Sequence, residues 1–334
     1  MELNADELMA LPVTPLKQLQ ENSHLMRNKM EMLIMETQFK VCQAIEKLET
    51  SKKFKVDKWS KENNTGGGVT CVLQDGDVFE KAGVNVSVVC GSLSEGAEKQ
   101  MKSARGKKFE RHEDGTLPYV AMGVSSVIHP TNPHCPTIHF NYRYFEVTNL
   151  DQSKTWWFGG GTDLTPMYLD EADVKLFHGE LKSACDKHKD SYYPDYKKWC
   201  DKYFHIPIRG ECRGVGGIFF DDLETEDPAT AFEFIKSCTK AIIPCYVPII
   251  EKNKSKEFSA EEKRWQQVRR GRYVEFNLIY DRGTKFGFNT PGARIESIMM
   301  SLPLTSRWEY MHEPEEGSKE YELWQVLKNP RDWV

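Results

Sequence analysis

Hydrophobic and polar positions recur with two different periods along this chain, and the change of period marks its elements. Thr14-Pro15 pairs an N-cap residue with proline at the first helical position. After it, Met26, Met30, Leu33, Ile34, Val41, Ile45 and Leu48 recur at helical spacing, which predicts one long amphipathic helix to about Thr50. Residues 51–68, ending in three glycines, read as a polar connection. From Val69 the period becomes two, and strands are predicted at 69–73, 84–90, 119–128, 137–147 and 154–160. The charged stretch 95–111 among them reads as a solvated helix or a mobile loop. Helices are predicted at 170–189 and 196–204, a glycine-rich strand at 213–223, and a helix at 228–252 that Pro244 and Pro248 should kink. Ser259 with Glu262 is a capping-box pattern opening a helix to about Arg269. Residues 272–280 alternate and predict a strand, and 318–327 predicts a last helix.

The strands arrive in a run flanked by helices, without regular βαβ alternation, repeats or a Pro/Ser linker. That order predicts an α+β fold, a single domain over 1–334, with a mostly antiparallel sheet whose faces are covered by helices. Hydrophobic residues make up 39% of the chain, enough for a sizeable core. A net charge of −5 argues against a generally basic nucleic-acid surface. The longest apolar stretch, Ala241 to Ile250, is too short to span a bilayer, so no transmembrane segment is expected. Nine cysteines without CxxC spacing read as reduced, mostly buried thiols. The first residues carry Glu2, Asp6 and Glu7 and no arginine before Arg27, unlike a secretory or transit sequence, so cytoplasmic residence is expected.

Composition leaves the chemistry open, and the local strings narrow it. RGVGGIFF lacks G-x-G-x-x-G spacing and leads into a strand, so it cannot present a helix N-terminus to a phosphate. His129, His134 and His139 are spaced by fives, which is not a usual metal spacing, and read as ordinary polar histidines. In TIHFNYRYFEV the period of two puts His139, Asn141 and Arg143 on one face and Ile138, Phe140, Tyr142 and Tyr144 on the other. The polar face either meets a ligand or partner charges or faces solvent, because burying it unpartnered is costly. In WWFGGGTDLTPMYL, Asp163 follows an aromatic and glycine-rich run; it is either a desolvated base or an Asx-turn before Pro166. Eight of the fourteen arginines fall between 209 and 294 (Arg209, Arg213, Arg264, Arg269, Arg270, Arg272, Arg282 and Arg294). They suit a flat, multi-anionic small molecule or pair with the chain's acids; for Arg264 and Arg269 the second reading is favoured.

WWFGGGTDLTPMYL, HFNYRYFE, GGIFFDDL, RRGRYVEFNLIYDRGTKFGF, GARIESIMMSLP and the ending NPRDWV resemble the oxygen-dependent coproporphyrinogen III oxidases of haem synthesis. The likeness runs from about residue 60 to the C-terminus; residues 1–50 are the least family-like part. The resemblance implies an antiparallel sheet of about seven strands between two layers of helices, and a homodimer. It implies oxidative decarboxylation of two propionates of coproporphyrinogen III to vinyl groups. The products would be protoporphyrinogen IX, two CO2 and H2O2, with O2 as co-substrate and no cofactor or metal. By position, His139 matches the family's proton donor and Asp163 the carboxylate at the pyrrole nitrogens. Ser125, Asn141, Tyr142, Arg143, Gly292, Ala293 and Arg294 match substrate-binding positions, with Arg213, Asp281 and Arg282 as secondary matches. By strand alternation Tyr142 would contact substrate through its backbone. One departure is Ile208, where many members carry a histidine that bacterial members count as a metal ligand with the counterparts of His129, His139 and His178. Cys212 likewise replaces a frequent arginine.

Overall fold

The computed structural model describes residues 4–62, 65–106, 108–289 and 292–334. Strands β1 (Lys55–Ser60), β2 (Gly66–Gln74), β3 (Phe79–Ser92), β4 (Pro118–Pro130), β5 (Thr137–Thr148) and β6 (Lys154–Thr165) pair in sequence order. A short ribbon of β7 (His205–Ile206) and β8 (Glu211–Cys212) precedes β9 (Gly217–Leu223), which closes the far edge beside β6. All six pairings in this seven-stranded sheet are antiparallel, as the run of predicted strands implied. The helices are α1 (Leu16–Glu21), α2 (Met26–Leu48), α3 (Glu95–Arg105), α4 (Glu171–Asp186), α5 (Tyr192–Tyr203), α6 (Pro228–Asn253), α7 (Ala260–Glu275), α8 (Arg282–Asn289), α9 (Ile295–Met299) and α10 (Lys319–Lys328). Among the described residues no helix is long and apolar enough to cross a membrane.

Alternation decides which sheet face becomes core. Val84, Val86, Val124, Phe140, Tyr142, Tyr144, Phe158, Ile218 and Phe220 point to one face and are buried. The stripe Met30, Leu33, Ile34, Val41, Cys42 and Ile45 of α2 covers that face over β3 to β5, and α6 covers it over β5 and β6. Each such side chain contributes about 1.5–3 kcal/mol on burial, so this layer fixes the register of the whole sheet. The opposite face is polar and is covered from the C-terminal side. Ser297 of α9 bonds Thr70, Arg270 of α7 donates to the Pro130 carbonyl, and Met300 packs on Gly83, where a Cβ would sit 2.7 Å from its sulfur.

Several elements differ from the sequence expectation. Residues 272–280 are not a strand: α7 runs on to Glu275 and continues as a π-helical turn over Phe276–Tyr280. The long helix over 15–50 is two helices. The chain breaks at Asn22, and Asn28 donates to the Asn22 carbonyl across the break. The polar connection contains β1, an edge strand whose exposed Lys55 and half-exposed Asp57 hide its period; residues 63 and 64 of that connection lie outside the described residues. The stretch 95–111 holds α3, with residue 107 outside the described residues. Only Gly217–Leu223 of the predicted 213–223 strand pairs with β6, and residues 213–216 form the loop before it. Pro244 and Pro248 both lie inside α6. The nine cysteines form no disulfide, and eight of them are buried.

Candidate active site

Strand β5 presents His139, Asn141 and Arg143 on the polar face, and the register sets their neighbours. Val127 and Asp163 flank His139, Ser125 and Gly161 flank Asn141, and Gly123 and Gly159 flank Arg143. The glycines leave room. A Cβ on Gly159 would lie 2.7 Å from Nε of Arg143, so this guanidinium lies flat against the strand beside it. Arg143 donates to Asn141 Oδ1 at 2.7 Å and pairs with Asp221 of β9 at 3.0 Å. Arg282 approaches the same Asp221 at 3.6 Å and lies 4.9 Å from the Tyr203 ring.

Beneath this surface is a buried ionic core. Asp163 Oδ1 is 2.7 Å from His139 Nδ1 and 2.9 Å from the Arg213 guanidinium; Oδ2 takes two further Arg213 bonds at 3.0 and 3.2 Å. The remaining Arg213 nitrogen donates to Asn277 Oδ1 at 2.9 Å, an atom that the π-helical turn places there. Phe204, Tyr273 and Phe276 enclose the guanidinium carbon at 4.0, 4.6 and 4.9 Å. The side chains of Asp163 and Arg213 are 2% exposed, while that of His139 is 19% exposed. Burial alone would raise the Asp163 carboxyl, but Arg213 and His139 outweigh it and hold it below its ordinary range. Burial would likewise favour neutral Arg213, yet Asp163 holds it above its ordinary value.

An ionised carboxylate only accepts, so Nδ1 of His139 must carry a proton. In a neutral ring Nε2 then keeps its lone pair. The arrangement therefore offers one imidazole nitrogen that accepts a proton when neutral and donates one when charged, with ring and tautomer fixed from behind. Asp163 has no oxygen left for another partner of comparable strength.

The family model described as coproporphyrinogen III oxidase matches residues 29–333. The oxygen-dependent coproporphyrinogen-III oxidase of Drosophila melanogaster is 59% identical over 335 residues, covering 100% of this chain and 85% of that protein. The mitochondrial oxygen-dependent coproporphyrinogen-III oxidase of Homo sapiens is 60% identical over 326 residues, covering 98% of this chain and 71% of its own. The chloroplastic coproporphyrinogen-III oxidase 1 of Arabidopsis thaliana is 52% identical over 317 residues, covering 94% and 81%. This chain belongs to the coproporphyrinogen III oxidase family.

Within this oxidase fold, the expected residues separate into four groups. His139, Asn141, Arg143 and Ser125 share the polar face around Asp163. Gly292, Ala293 and Arg294 form the turn before α9; Arg294 pairs with Asp57 and lies 5.9 Å from the Trp59 ring, at the β1 end of that face. Tyr142 points the other way, into the core, where its hydroxyl meets Thr162 Oγ1 at 2.6 Å; only its backbone borders the site. Arg213, expected to bind substrate, is sealed behind Asp163.

Most other arginines of the sequence cluster are held by the chain's own acids. Arg209 and Arg272 pair with Glu275, Arg264 with Glu309, Arg269 with Glu211 and Arg270 with Glu80. The histidines of the metal pattern are spoken for individually. His129 meets Ser301 O and Thr137 Oγ1 at 3.0 and 3.2 Å; His178 meets Tyr193 Oη and Val215 O at 2.9 and 3.1 Å. Among the described residues no three His, Cys, Asp or Glu side chains converge as a ligand set. Ile208 is 63% exposed, and Cys212 is buried against the Asp201 carbonyl. Sequence reasoning missed Asn277, Asp221 and the row Asp57, Thr70, Asn85. The last two were findable, because Thr70 and Asn85 are the polar members of strands whose alternate members are valines.

Proposed function

We propose that this chain catalyses the O2-dependent decarboxylation of two propionates of coproporphyrinogen III to vinyl groups, giving protoporphyrinogen IX. Each step balances as propionate carboxylate plus O2 plus one proton, giving vinyl, CO2 and H2O2. The observation that carries the reading is the buried Arg213–Asp163 pair holding His139 at the centre of a polar, glycine-lined sheet face, in a chain whose relatives are named for this reaction. His139 Nε2 exchanges the proton at a pyrrole nitrogen, which makes the ring electron-rich enough to react with O2. The resulting peroxide removes a hydrogen beside the ring as CO2 leaves. Asp163 is the positioning carboxylate, and Asn141, Arg143, Ser125 and Arg294 face the substrate. Positioning and a general acid–base group are what such a site supplies.

The reaction as proposed needs no metal or organic cofactor. The engagement of His129 and His178 in separate hydrogen bonds supports this. The test is CO2 release and vinyl formation by purified, EDTA-treated protein with and without O2. Turnover only with O2 is expected. Activity that appears only on adding a metal refutes the cofactor-free form, and substrate binding without turnover refutes the enzyme reading. The proposal includes a homodimer, supported by the exposed apolar side chains Ile208 and Trp308 on either side of Glu275, which bonds Arg209 and Trp308. Light scattering should give twice the chain mass, and a monomer would refute it. Cytoplasmic residence belongs to the same proposal. The human relative's name is mitochondrial, so recovery of this protein with mitochondria on fractionation would overturn it.

A further inference from the structure

On β3, between the site residues and the sheet edge, Asn85 is held by a buried polar network that also ties α9 to the sheet. Asn85 pairs across the ladder with Ser125 on one side and Thr70 on the other, so it lies on the same face as Asn141 and His139. Its Oδ1 accepts from Thr70 Oγ1 at 2.7 Å. Thr70 Oγ1 also contacts Trp59 Nε1 at 3.0 Å and Ser297 Oγ at 2.8 Å. With Oδ1 of Asn85 turned toward Thr70, the donors fall in one way. An indole N–H only donates and Oδ1 only accepts, so the single Thr70 proton goes to Asn85 and Ser297 must donate to Thr70. Three elements, β1, β2 and α9, thus converge on Thr70, which is 4% exposed, to orient one amide. That amide turns its Nδ2 away from Thr70 on the half-buried face. Neither Nδ2 of Asn85 nor Oγ of the adjacent Ser125 has a protein partner among the described residues.

We propose that Asn85, with Ser125 beside it, is a carboxylate-binding subsite for a propionate on a different pyrrole ring from the one at His139. This deepens the proposed function and rests on it. The chemistry selects the occupant: the pyrrole nitrogens of a porphyrinogen are donors, so a fixed N–H donor can meet only its carboxylate oxygens. The spacing agrees. Two strand separations and two residues of rise put Asn85 ~12 Å from His139, within the span of a tetrapyrrole and its side arms. Arg294 does not pre-empt the role, because it is already paired with Asp57.

The experiment compares Asn85→Asp, Asn85→Ser and Thr70→Val with wild type in the full-length protein. Two readouts are used: the Kd for coproporphyrin III by fluorescence, and kcat and KM with coproporphyrinogen III. Asn85→Asp keeps the shape and replaces the N–H donor with a carboxylate oxygen. Loss of one hydrogen bond to a charged group corresponds to about 10- to 100-fold. Kd and KM should therefore rise by at least about tenfold with kcat within about threefold. Asn85→Ser, which keeps a donor, should stay nearer wild type than Asn85→Asp. Thr70→Val should weaken binding by a smaller factor, because it frees the amide without removing it. A Kd for Asn85→Asp within threefold of wild type overturns the subsite, as does a fall in kcat at unchanged KM. Binding needs no turnover. A wild type that binds coproporphyrin III without turning over the porphyrinogen refutes the oxidase reading, while the Kd comparison still decides the subsite. A wild type that does not bind overturns both.

Discussion

Asp163→Asn isolates what the buried carboxylate does, because it changes charge and donor pattern at almost constant shape. Two effects follow. First, Arg213 stays buried at 2% exposure with its counter-ion gone. Breaking a buried ion pair on one side costs about 3–5 kcal/mol. At roughly 2 °C per kcal/mol for a chain of this size, the melting temperature should fall by about 6–10 °C. Second, His139 loses the acceptor that fixes Nδ1–H, so the ring no longer presents Nε2 in one tautomer. A misplaced general acid–base group costs about 10²–10⁴-fold in kcat. KM should move only a few-fold, because Ser125, Asn141 and Arg143 are untouched. The two effects separate in Asp163→Asn/Arg213→Gln. Removing both charges takes away the uncompensated cation, so much of the lost stability should return while kcat stays at least about a hundredfold down. The assay is CO2 release under air, with thermal melts on the same preparations. If kcat recovers in parallel with the melting temperature, the single variant was only misfolded and the positioning role of Asp163 is wrong. If Asp163→Asn turns over normally, the reasoning about His139 fails altogether.

Three further outcomes are expected. Burial pushes the His178 pKa down to about 3 and lowers that of His129 as well. Each ring is neutral in the folded chain while the unfolded chain takes up a proton below about pH 6.5. The His178 contribution to stability is thus full above that pH and is lost as pH falls toward 3, at up to ~1.4 kcal/mol per unit, and His129 acts in the same direction. Urea melts of His178→Gln should show a shallower loss between pH 6.5 and 4.5 than wild type, and an equal slope would refute this. Gly159→Ala should fold, because the added methyl meets the movable end of Arg143, yet raise KM by about tenfold by displacing that guanidinium; an unchanged KM would remove Arg143 from substrate binding. Asn277→Leu removes one of the bonds that hold Arg213, and should lower kcat without a comparable change in KM; a loss in KM alone would contradict its place behind Asp163.

The sheet was legible in the sequence because its strands keep one apolar face, and the same alternation correctly grouped His139, Asn141 and Arg143. Tyr142 shows the limit of reading by motif. It sits in the matching run, yet its parity sends its ring to Thr162 and the core. Residues 272–280 were misread for a physical reason. Arg269, Arg270, Arg272 and Glu275 are buried in α7, so polarity there does not mark a solvent face. The π-helical turn then adds a residue that breaks the helical period. Gly271 looks like a helix breaker but is demanded by close approach, since a Cβ would sit 2.7 Å from the Arg307 carbonyl. The arginine cluster misled for a related reason: sequence shows a cation but not the glutamate across the fold that neutralises it. Asn277 was invisible because its partner lies 64 positions away and is reached only through the π-turn.

The arrangement of charge across the site argues for a division of labour. The inner layer, Arg213 with Asp163, is neutral as a pair and has spent its donors and acceptors on itself, His139 and Asn277. It can hold an imidazole but cannot bind a carboxylate. In the outer layer each cation shares an acid: Arg143 and Arg282 share Asp221, and Arg294 has Asp57. Two arginines share one aspartate at the β9 end, where Asp281 also bonds Tyr203 beside Arg282, and Arg294 is paired at the β1 end. A substrate with four carboxylates therefore meets arginines that acids of the chain already counter. Toward the β1 end it also meets neutral donors such as Asn85 and Ser125. Raising ionic strength should then weaken substrate binding with a shallow slope, well short of four screened charges. A steep dependence would mean that Asp57 releases Arg294 when substrate arrives, and that the β1 end is ionic after all.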